Sequence, residues 1–239
     1  MVAMTTALIT GATRGLGRET ARRLAALGWT VWLGARDPEA GDTVAIELTH
    51  AYPAADLRVV PLDVTDDTSV TAAVRTVAEA DTGLDALINN AGIGGRPVPP
   101  RECTPADFIA VYGVNVLGPV RVTSAFLPLL DRSAAPRLVM VSSGVGSLTH
   151  ANDAAHVYYA LDGLAYPSSK TALNMITTQY AKALPHIRVC AVDPGWTATD
   201  FTDHRGTQTV QQGTDAIVQA VTADSIPGMF FGRDGNVPW

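Results

Sequence analysis

Short apolar runs alternate with longer segments of helical spacing along almost the whole chain, and no other feature constrains the fold as much. Ala7–Thr10, Thr30–Ala35, Leu57–Leu62, Ala86–Asn89, Arg137–Ser142, Ile187–Val192 and Gly228–Phe231 read as strands. Between them, Leu16–Leu27, Pro38–Thr49, Asp66–Ala80, Thr104–Leu130, Ala165–Leu184 and Thr207–Thr222 read as helices. Gly28 closes the first helix, and Pro38 and Pro105 stand where a first turn tolerates proline. Strands joined through helices run parallel, and a parallel sheet needs both faces covered. The expectation is an α/β fold: one domain over residues 1–239, with a doubly wound, seven-stranded parallel sheet and helices on both faces. Ligands of such sheets bind at the carboxyl ends of the strands, near the switch in strand order.

The 239 residues suit one large domain, and 47% hydrophobic content is enough to fill its core. Charges of both signs are mixed along the chain, with a formal net charge of −6. No basic stripe points to nucleic acid and no polybasic cluster to a membrane surface. Cys103 and Cys190 are far apart, and neither they nor the histidines show metal-ligand spacing, so no metal is expected. The beginning of the chain shows no basic region followed by an apolar stretch, and a cytoplasmic protein is expected.

The residues that carry chemistry follow the strands. Thr10-Gly11-Ala12-Thr13-Arg14-Gly15-Leu16-Gly17 lies between the first strand and the first helix. Glycines there allow a tight turn and close approach of backbone N–H groups to an anion. The helix N-terminus adds about half a positive charge, so pyrophosphate is the natural guest. The spacing is G-x-x-x-G-x-G rather than the G-x-G-x-x-G of the usual dinucleotide fingerprint.

With that spacing, Thr10–Gly17 resembles the TGxxxGxG motif of the short-chain dehydrogenase/reductase family. The resemblance implies a Rossmann fold and a nicotinamide cofactor, with Gly11, Thr13, Arg14, Gly15, Leu16 and Gly17 around its phosphates. An NAD site usually places an acid at the end of the second strand, on the ribose 2′-hydroxyl. Ala35 stands there instead, and Arg36 follows it, able to fork onto a 2′-phosphate with Arg14 approaching from the other side. This is similar to the NADPH-preferring, carbonyl-reductase-like branch, so NADP(H) is expected; Asp37 leaves a ribose contact open. Asp63, followed by Val64, resembles the family acid at the adenine amino group, and capping of the next helix is its other reading. Asn89-Asn90-Ala91-Gly92 is similar to the family NNAG motif. It implies that Asn89 supports the ribose region and the central strand, while Ala91 and Gly92 allow close approach.

Tyr166 and Lys170 match Y-x-x-x-K, and on a helix they share one face. Reducing a ketone delivers hydride to carbon and a proton to oxygen. A phenol with a pKa of about 10 is a poor proton shuttle near neutrality. A neighbouring ammonium and the cationic nicotinamide ring favour the phenolate; bringing its pKa near neutrality takes roughly 4 kcal/mol. By resemblance Lys170 also holds the nicotinamide ribose, Ser143 stabilises the substrate oxygen, and Asn115 completes a catalytic tetrad by holding a water that relays protons to the lysine. Ser142 adjoins Ser143 and is the alternative residue at that position. Asparagine amid apolar residues also suits a buried side chain bonded to backbone, a compatible reading. The stretch Asp193-Pro194-Gly195-Trp196-Thr197-Ala198-Thr199-Asp200 resembles the PG motif, which seats the carboxamide through Pro194, Gly195, Thr197 and Thr199.

The resemblance covers residues 5–232 and implies an oxidoreductase acting on a small carbonyl or alcohol substrate, as a homodimer or homotetramer. A non-catalytic NADP(H)-sensing regulator on the same fold is the alternative, and such proteins commonly lose the tyrosine or lysine present here. Two departures stand out. Ser143 and Tyr166 are 23 positions apart, more than is usual in the family. The extra segment, 149–164, carries His150, Asp153, His156, Tyr158 and Tyr159, and reads as a pocket wall or a surface excursion. The stretch Thr202–Gln212 is short and polar, which favours a small or polar substrate.

Overall fold

The computed structural model describes residues 5–80 and 83–239. Their strands form one sheet in the order β3-β2-β1-β4-β5-β6-β7-β8. These are β1 (Thr6–Thr10), β2 (Thr30–Ala35), β3 (Asp56–Pro61), β4 (Ala86–Asn89), β5 (Arg137–Val141), β6 (Arg188–Asp193), β7 (Phe230–Gly232) and β8 (Gly235–Asn236). The first seven pair in parallel, as expected. The count of seven needs correction: β8 folds back antiparallel on β7, pairing Phe231 with Asn236 and Gly232 with Gly235. Two residues carry no readable alternation, so this strand had no sequence signature.

The strands are apolar throughout because successive side chains enter opposite layers. Ala7, Ile9, Ile88, Val139 and Val141 pack into one core. Leu8, Leu87, Leu138 and Met140, their chain neighbours, pack into the other. The first layer is closed by α1 (Gly15–Ala26), α2 (Pro38–Ala51) and α9 (Asp215–Thr222), through Leu24, Val44, Leu48 and Ile217 among others. The second is closed by α3 (Asp67–Glu79), α5 (Gly118–Leu130) and α7 (Ala165–Ala183), through Val70, Phe126, Leu130 and Leu173. Phe126 and Leu130 are fully buried, each contributing about 1.5–3 kcal/mol.

Local chemistry sets the element ends. Gly28, at φ +77°, ends α1 and donates to the Ala25 carbonyl. Asp37 caps α2 by accepting from the N–H groups of Glu39 and Ala40. A capping box of Thr104 and Asp107 opens α4 (Pro105–Tyr112). The expected single helix over Thr104–Leu130 is interrupted at Gly113–Leu117 by a π-helical turn, which carries Asn115. The stretch from Pro105 to Leu130 is apolar and long enough to cross a membrane, yet half of its most apolar window is buried against the protein. The helix expected over Thr207–Thr222 is divided at Thr214 into α8 (Val210–Gly213) and α9.

Candidate active site

The order of the sheet reverses between β1 and β4, which pair directly, and the loops leaving their carboxyl ends meet there. Gly11 and Gly15 hold φ values of +64° and +52°, which favour glycine. Gly17 is needed for space, since a Cβ there would lie 2.3 Å from the Gly11 carbonyl oxygen and 2.6 Å from Asn90 Nδ2. Asn90 staples the loop: its Nδ2 donates to the carbonyls of Thr10 (2.8 Å) and Gly11 (3.1 Å). In return Thr10 Oγ1 accepts from the N–H groups of Asn90 and Ala91. Arg14 occupies the N-cap of α1 with no side-chain cap, and the first turn carries no acid. Its leading amides therefore face the loop uncapped, as an anion requires. Thr13 and Leu16 are half-buried in the same turn.

Arg36 is exposed at the end of β2, and Arg14 is exposed across the cradle, 3.8 Å from Asp200. Asp37 caps α2 through Oδ1 alone, accepting from the Glu39 and Ala40 N–H groups, which leaves its exposed carboxylate open to a ribose contact. Asp63 accepts from Thr65 through its N–H (2.8 Å) and hydroxyl (2.7 Å), and these bonds hold its pKa below the usual carboxylate value. Capping of α3 belongs to Asp66, not Asp63. Val64 is buried, and a Cβ on Gly118 would come within 2.9 Å of it. Asn89 turns inward: its Nδ2 donates to Thr123 Oγ1 (3.0 Å) and approaches Met140 Sδ (3.4 Å). Through Nδ2 it braces the central strand.

The second cluster lies after β5, against the start of α7. Ser142 donates to Asn174 Oδ1 at 2.5 Å and is committed to holding α7. Ser143 is the half-buried neighbour, whose hydroxyl accepts from the Val145 N–H at 3.4 Å and acts to lower the Tyr166 pKa. Lys170 Nζ lies 5.6 Å from the Tyr166 ring centroid and donates to the Val141 carbonyl at 2.8 Å. Asn115 is buried and accepts from the Ile93 N–H (2.9 Å) while donating to the Ile93 carbonyl (2.9 Å) and to Ser169 Oγ (3.1 Å). It thus ties the loop after β4 to the helix bearing Tyr166 and Lys170. A Cβ on Gly92 would reach 3.4 Å from Asn115 Oδ1 and 3.8 Å from Lys170 Nζ, so this glycine keeps the ground before the lysine clear.

The expected lowering of the Tyr166 pKa relies on the bound nicotinamide as well as on Lys170; the protein's own surroundings act in the opposite direction. Burial pushes the phenol well above its ordinary pKa, the Ser143 hydroxyl opposes this, and Asp193 and Tyr158 add to the rise. Burial also lowers Lys170 to about 8, with Asp193 pulling the other way. For both groups burial is the leading cause of the shift.

The loop after β6 completes the site. Gly195, at φ +67°, makes the turn, its N–H held by Asp193 Oδ1 at 3.0 Å. Thr197 is buried and donates to the Pro194 carbonyl at 3.0 Å. Thr199 approaches Gly15, its Cγ2 3.5 Å from where a Cβ would stand. The PG loop and the glycine cradle are therefore in contact.

The family model for short chain dehydrogenases matches residues 5–209. The chain belongs to the short-chain dehydrogenase family. It is an oxidoreductase of that family, whose members couple a nicotinamide cofactor to carbonyl–alcohol chemistry. The short-chain dehydrogenase anuI of Penicillium roqueforti is 36% identical over 233 residues, covering 95% of this chain and 91% of the relative. The (+)-neomenthol dehydrogenase of Arabidopsis thaliana is 31% identical, with 95% of each covered. Among solved structures, the NADPH-bound carbonyl reductase from chicken fatty liver superposes with a TM-score of 0.85 at 30% identity, over 100% of both chains.

In this short-chain dehydrogenase the segment 149–164 is ordered as α6 (Leu148–Asn152) and a 3-10 turn, Val157–Ala160. Its start is fastened by Trp239, whose carbonyl oxygen accepts from the N–H (3.0 Å) and hydroxyl (2.7 Å) of Thr149. The Trp239 ring stacks on Phe230. His150 and His156 stack 3.8 Å apart, and Tyr158 leans on His156 at 4.9 Å. Sequence reasoning left Asn90 and Asp193 without a role. Both stood inside quoted motifs, but only the fold shows that one staples the cradle and the other faces the catalytic cluster. Phe201 was also missed: half exposed, its ring centroid lies 5.4 Å from that of Tyr166.

Proposed function

We propose that this short-chain dehydrogenase is an NADP(H)-dependent reductase of ketones and aldehydes, reversible toward secondary alcohols, with Tyr166 as proton donor. One observation carries the reading: the half-buried Tyr166 phenol, its ring centroid 5.6 Å from the Lys170 ammonium and its ionisation eased by Ser143, stands at the carboxyl end of a parallel sheet beside an uncapped glycine cradle. Bound nicotinamide supplies the hydride. Gly11, Thr13, Gly15, Leu16 and Gly17 form the bed for its phosphates, and Ala91, Gly92, Pro194, Gly195, Thr197 and Thr199 line its path. Arg14 and Arg36 are the exposed cations placed for a 2′-phosphate, and no acid stands at position 35 to favour a free hydroxyl.

Burial keeps Tyr166 protonated at neutral pH, the state a reduction needs of its proton donor. As negative charge develops on the substrate oxygen, Tyr166 transfers its proton and the Ser143 hydroxyl donates a hydrogen bond to the same oxygen. Lys170, with a pKa near 8, then sits close enough to physiological pH to return a proton toward the phenolate. Asn115 holds α7 so that the two stay in register.

The test is consumption of NADPH, and separately of NADH, with a panel of aldehydes, ketones and quinones. Turnover favouring NADPH is expected. Tight NADPH binding with no turnover of any carbonyl would overturn the reading in favour of a cofactor sensor.

A further inference from the structure

The loop that leaves β6 reaches both halves of the site through neighbouring residues. Its 3-10 turn, Asp200–Thr202, completes a turn in three residues and so sends three consecutive side chains in three directions. Thr202 turns back on its own loop, and its hydroxyl donates to the Thr197 carbonyl at 2.6 Å. Asp200 turns to the cradle, with Oδ2 3.8 Å from Arg14 Nη1 and Oδ1 3.0 Å from His204 Nε2. Phe201 is the third, and it crosses to the acceptor side. Its ring centroid lies 5.4 Å from that of Tyr166, with the two planes at 52°. A Cβ on Gly94 would meet Phe201 Cζ at 3.4 Å, so the ring tip reaches the loop after β4.

The turn has a fixed base. Asp203 and His204 follow it at φ +49° and +57°, left-handed values that favour glycine and persist elsewhere only where the surroundings over-determine them. The His204 N–H donates to the Thr199 carbonyl at 2.9 Å, and Arg205 pairs with Asp203 at 3.1 Å. Despite its contacts, Phe201 stays 51% exposed. A ring held along one edge and open elsewhere is apolar surface still in water, and covering it is favourable. Tyr166, its neighbour, is the group that meets the substrate oxygen. The carbonyl carbon bonded to that oxygen carries two substituents, one on each side of the C=O axis, and Phe201 flanks one of these sides.

Resting on the function proposed above, we infer that Phe201 is a specificity-determining residue that sets which enantiomer of the alcohol is made. The flat substituent of an aryl ketone lies on its ring, the alkyl substituent points away, and one face of the carbonyl is turned to the hydride. Hydride adds to the carbonyl carbon and the C=O π pair takes the Tyr166 proton. The nicotinamide is oxidised, and the ketone is reduced to one alcohol in excess.

The experiment reduces acetophenone and cyclohexyl methyl ketone with NADPH and measures the enantiomer ratio of each alcohol by chiral chromatography. The unaltered enzyme is compared with Phe201→Ala and Phe201→Tyr, each checked by thermal unfolding and NADPH fluorescence. The ratio for 1-phenylethanol falls about fivefold in Phe201→Ala, the scale of one aromatic pair, and is kept in Phe201→Tyr. The cyclohexyl ketone, of similar size but not flat, loses less. Should Phe201→Ala not fold, Phe201→Leu, which keeps apolar bulk and loses the flat face, reads the same effect. A folded variant that loses rate at an unchanged ratio, or a racemic product from the unaltered enzyme, overturns the inference and leaves the reductase reading intact. So does turnover of aldehydes with neither ketone reduced. Failure of the unaltered enzyme to reduce any carbonyl overturns both together.

Discussion

The two halves of the site are built from different materials. The cradle between β1 and α1 is a backbone device, made of positive-φ glycines, uncapped amides and the Asn90 staple. Its polar groups are fixed by the chain path and carry no net charge of their own. The acceptor side, after β5 and at the head of α7, is a side-chain device. It gathers two phenols, an ammonium and a carboxylate in a space that water reaches poorly. The difference is energetic as well as geometric. Aligned backbone amides are part of the fold's own hydrogen bonding, whereas a buried ammonium destabilises the fold unless something offsets it. Binding is thus entrusted to the part that costs least, and chemistry to the part whose phenols and ammonium are held away from their ordinary ionisation.

The largest break in this comparison is Tyr166→Phe. It removes one hydroxyl from the acceptor side and leaves the cradle untouched. We expect kcat for carbonyl reduction to fall about 10³-fold, the scale of a lost general acid, while the dissociation constant for NADPH changes only a few-fold. Initial rates and fluorescence titration read the two separately. An equal loss of both would mean that the halves are not independent.

Lys170→Met tests the cost. The lysine pKa is lowered from 10.5 to about 8 in the folded protein, so between those values the unfolded chain binds more protons and stability rises with pH. The contribution is complete above the unfolded value and is lost as the pH falls through about 8. At pH 7 the charged lysine thus costs about 3 kcal/mol, and leaving the Val141 carbonyl unpaired returns about 1 kcal/mol of that. The variant should be more stable than the parent by about 2 kcal/mol at pH 7, with the gap closing toward pH 10. Urea unfolding of both proteins across that range measures it. A variant less stable at pH 7 would show that the lysine is well solvated or well paired.

The same division explains how much could be read from the chain. The glycine cradle, Tyr166, Lys170 and the helix order are legible because backbone geometry and helical spacing leave local marks. What escaped depends on packing across distance. Giving Asn90 a role requires knowing that its side chain faces the Thr10 carbonyl. Separating Ser142 from Ser143 requires seeing Asn174 on α7. Asp63 and Asp66 both precede a helix, and only the latter reaches its Thr68 N–H. Tyr158 is the extreme case, since its place beside Gly144 is set by two histidines, a 3-10 turn and the anchor at Trp239. The burial that raises the Tyr166 pKa is hidden for a related reason: the ammonium partner is visible in Y-x-x-x-K, but packing around the phenol is not.

Two smaller tests sharpen the cradle side. Gly17→Ala places a methyl 2.3 Å from the Gly11 carbonyl and 2.6 Å from Asn90. The loop or the staple must give way, at about 1.5 kcal/mol of stability, and NADPH affinity should fall with it. Thermal unfolding with and without NADPH reads both, and affinity retained in a destabilised protein would separate the staple from binding.

Arg36→Ala has the smallest expected effect, and it asks a sharper question: does the cradle carry any side-chain specificity at all? The Gly11–Gly17 backbone offers the same amides to NAD and NADP, so a preference between them must come from outside it. Arg36 is exposed, and its charge reaches as far as Asp63. An exposed cation on a 2′-phosphate is screened by solvent, so its removal should weaken NADPH by about tenfold and NADH hardly at all. The KM values for the two cofactors, measured at low and at raised salt, decide it. A loss confined to NADPH that shrinks as salt rises assigns the preference to this one charge. Equal losses for both cofactors would instead make Arg36 part of the fold at the end of β2 and leave the discrimination to Arg14 across the cradle.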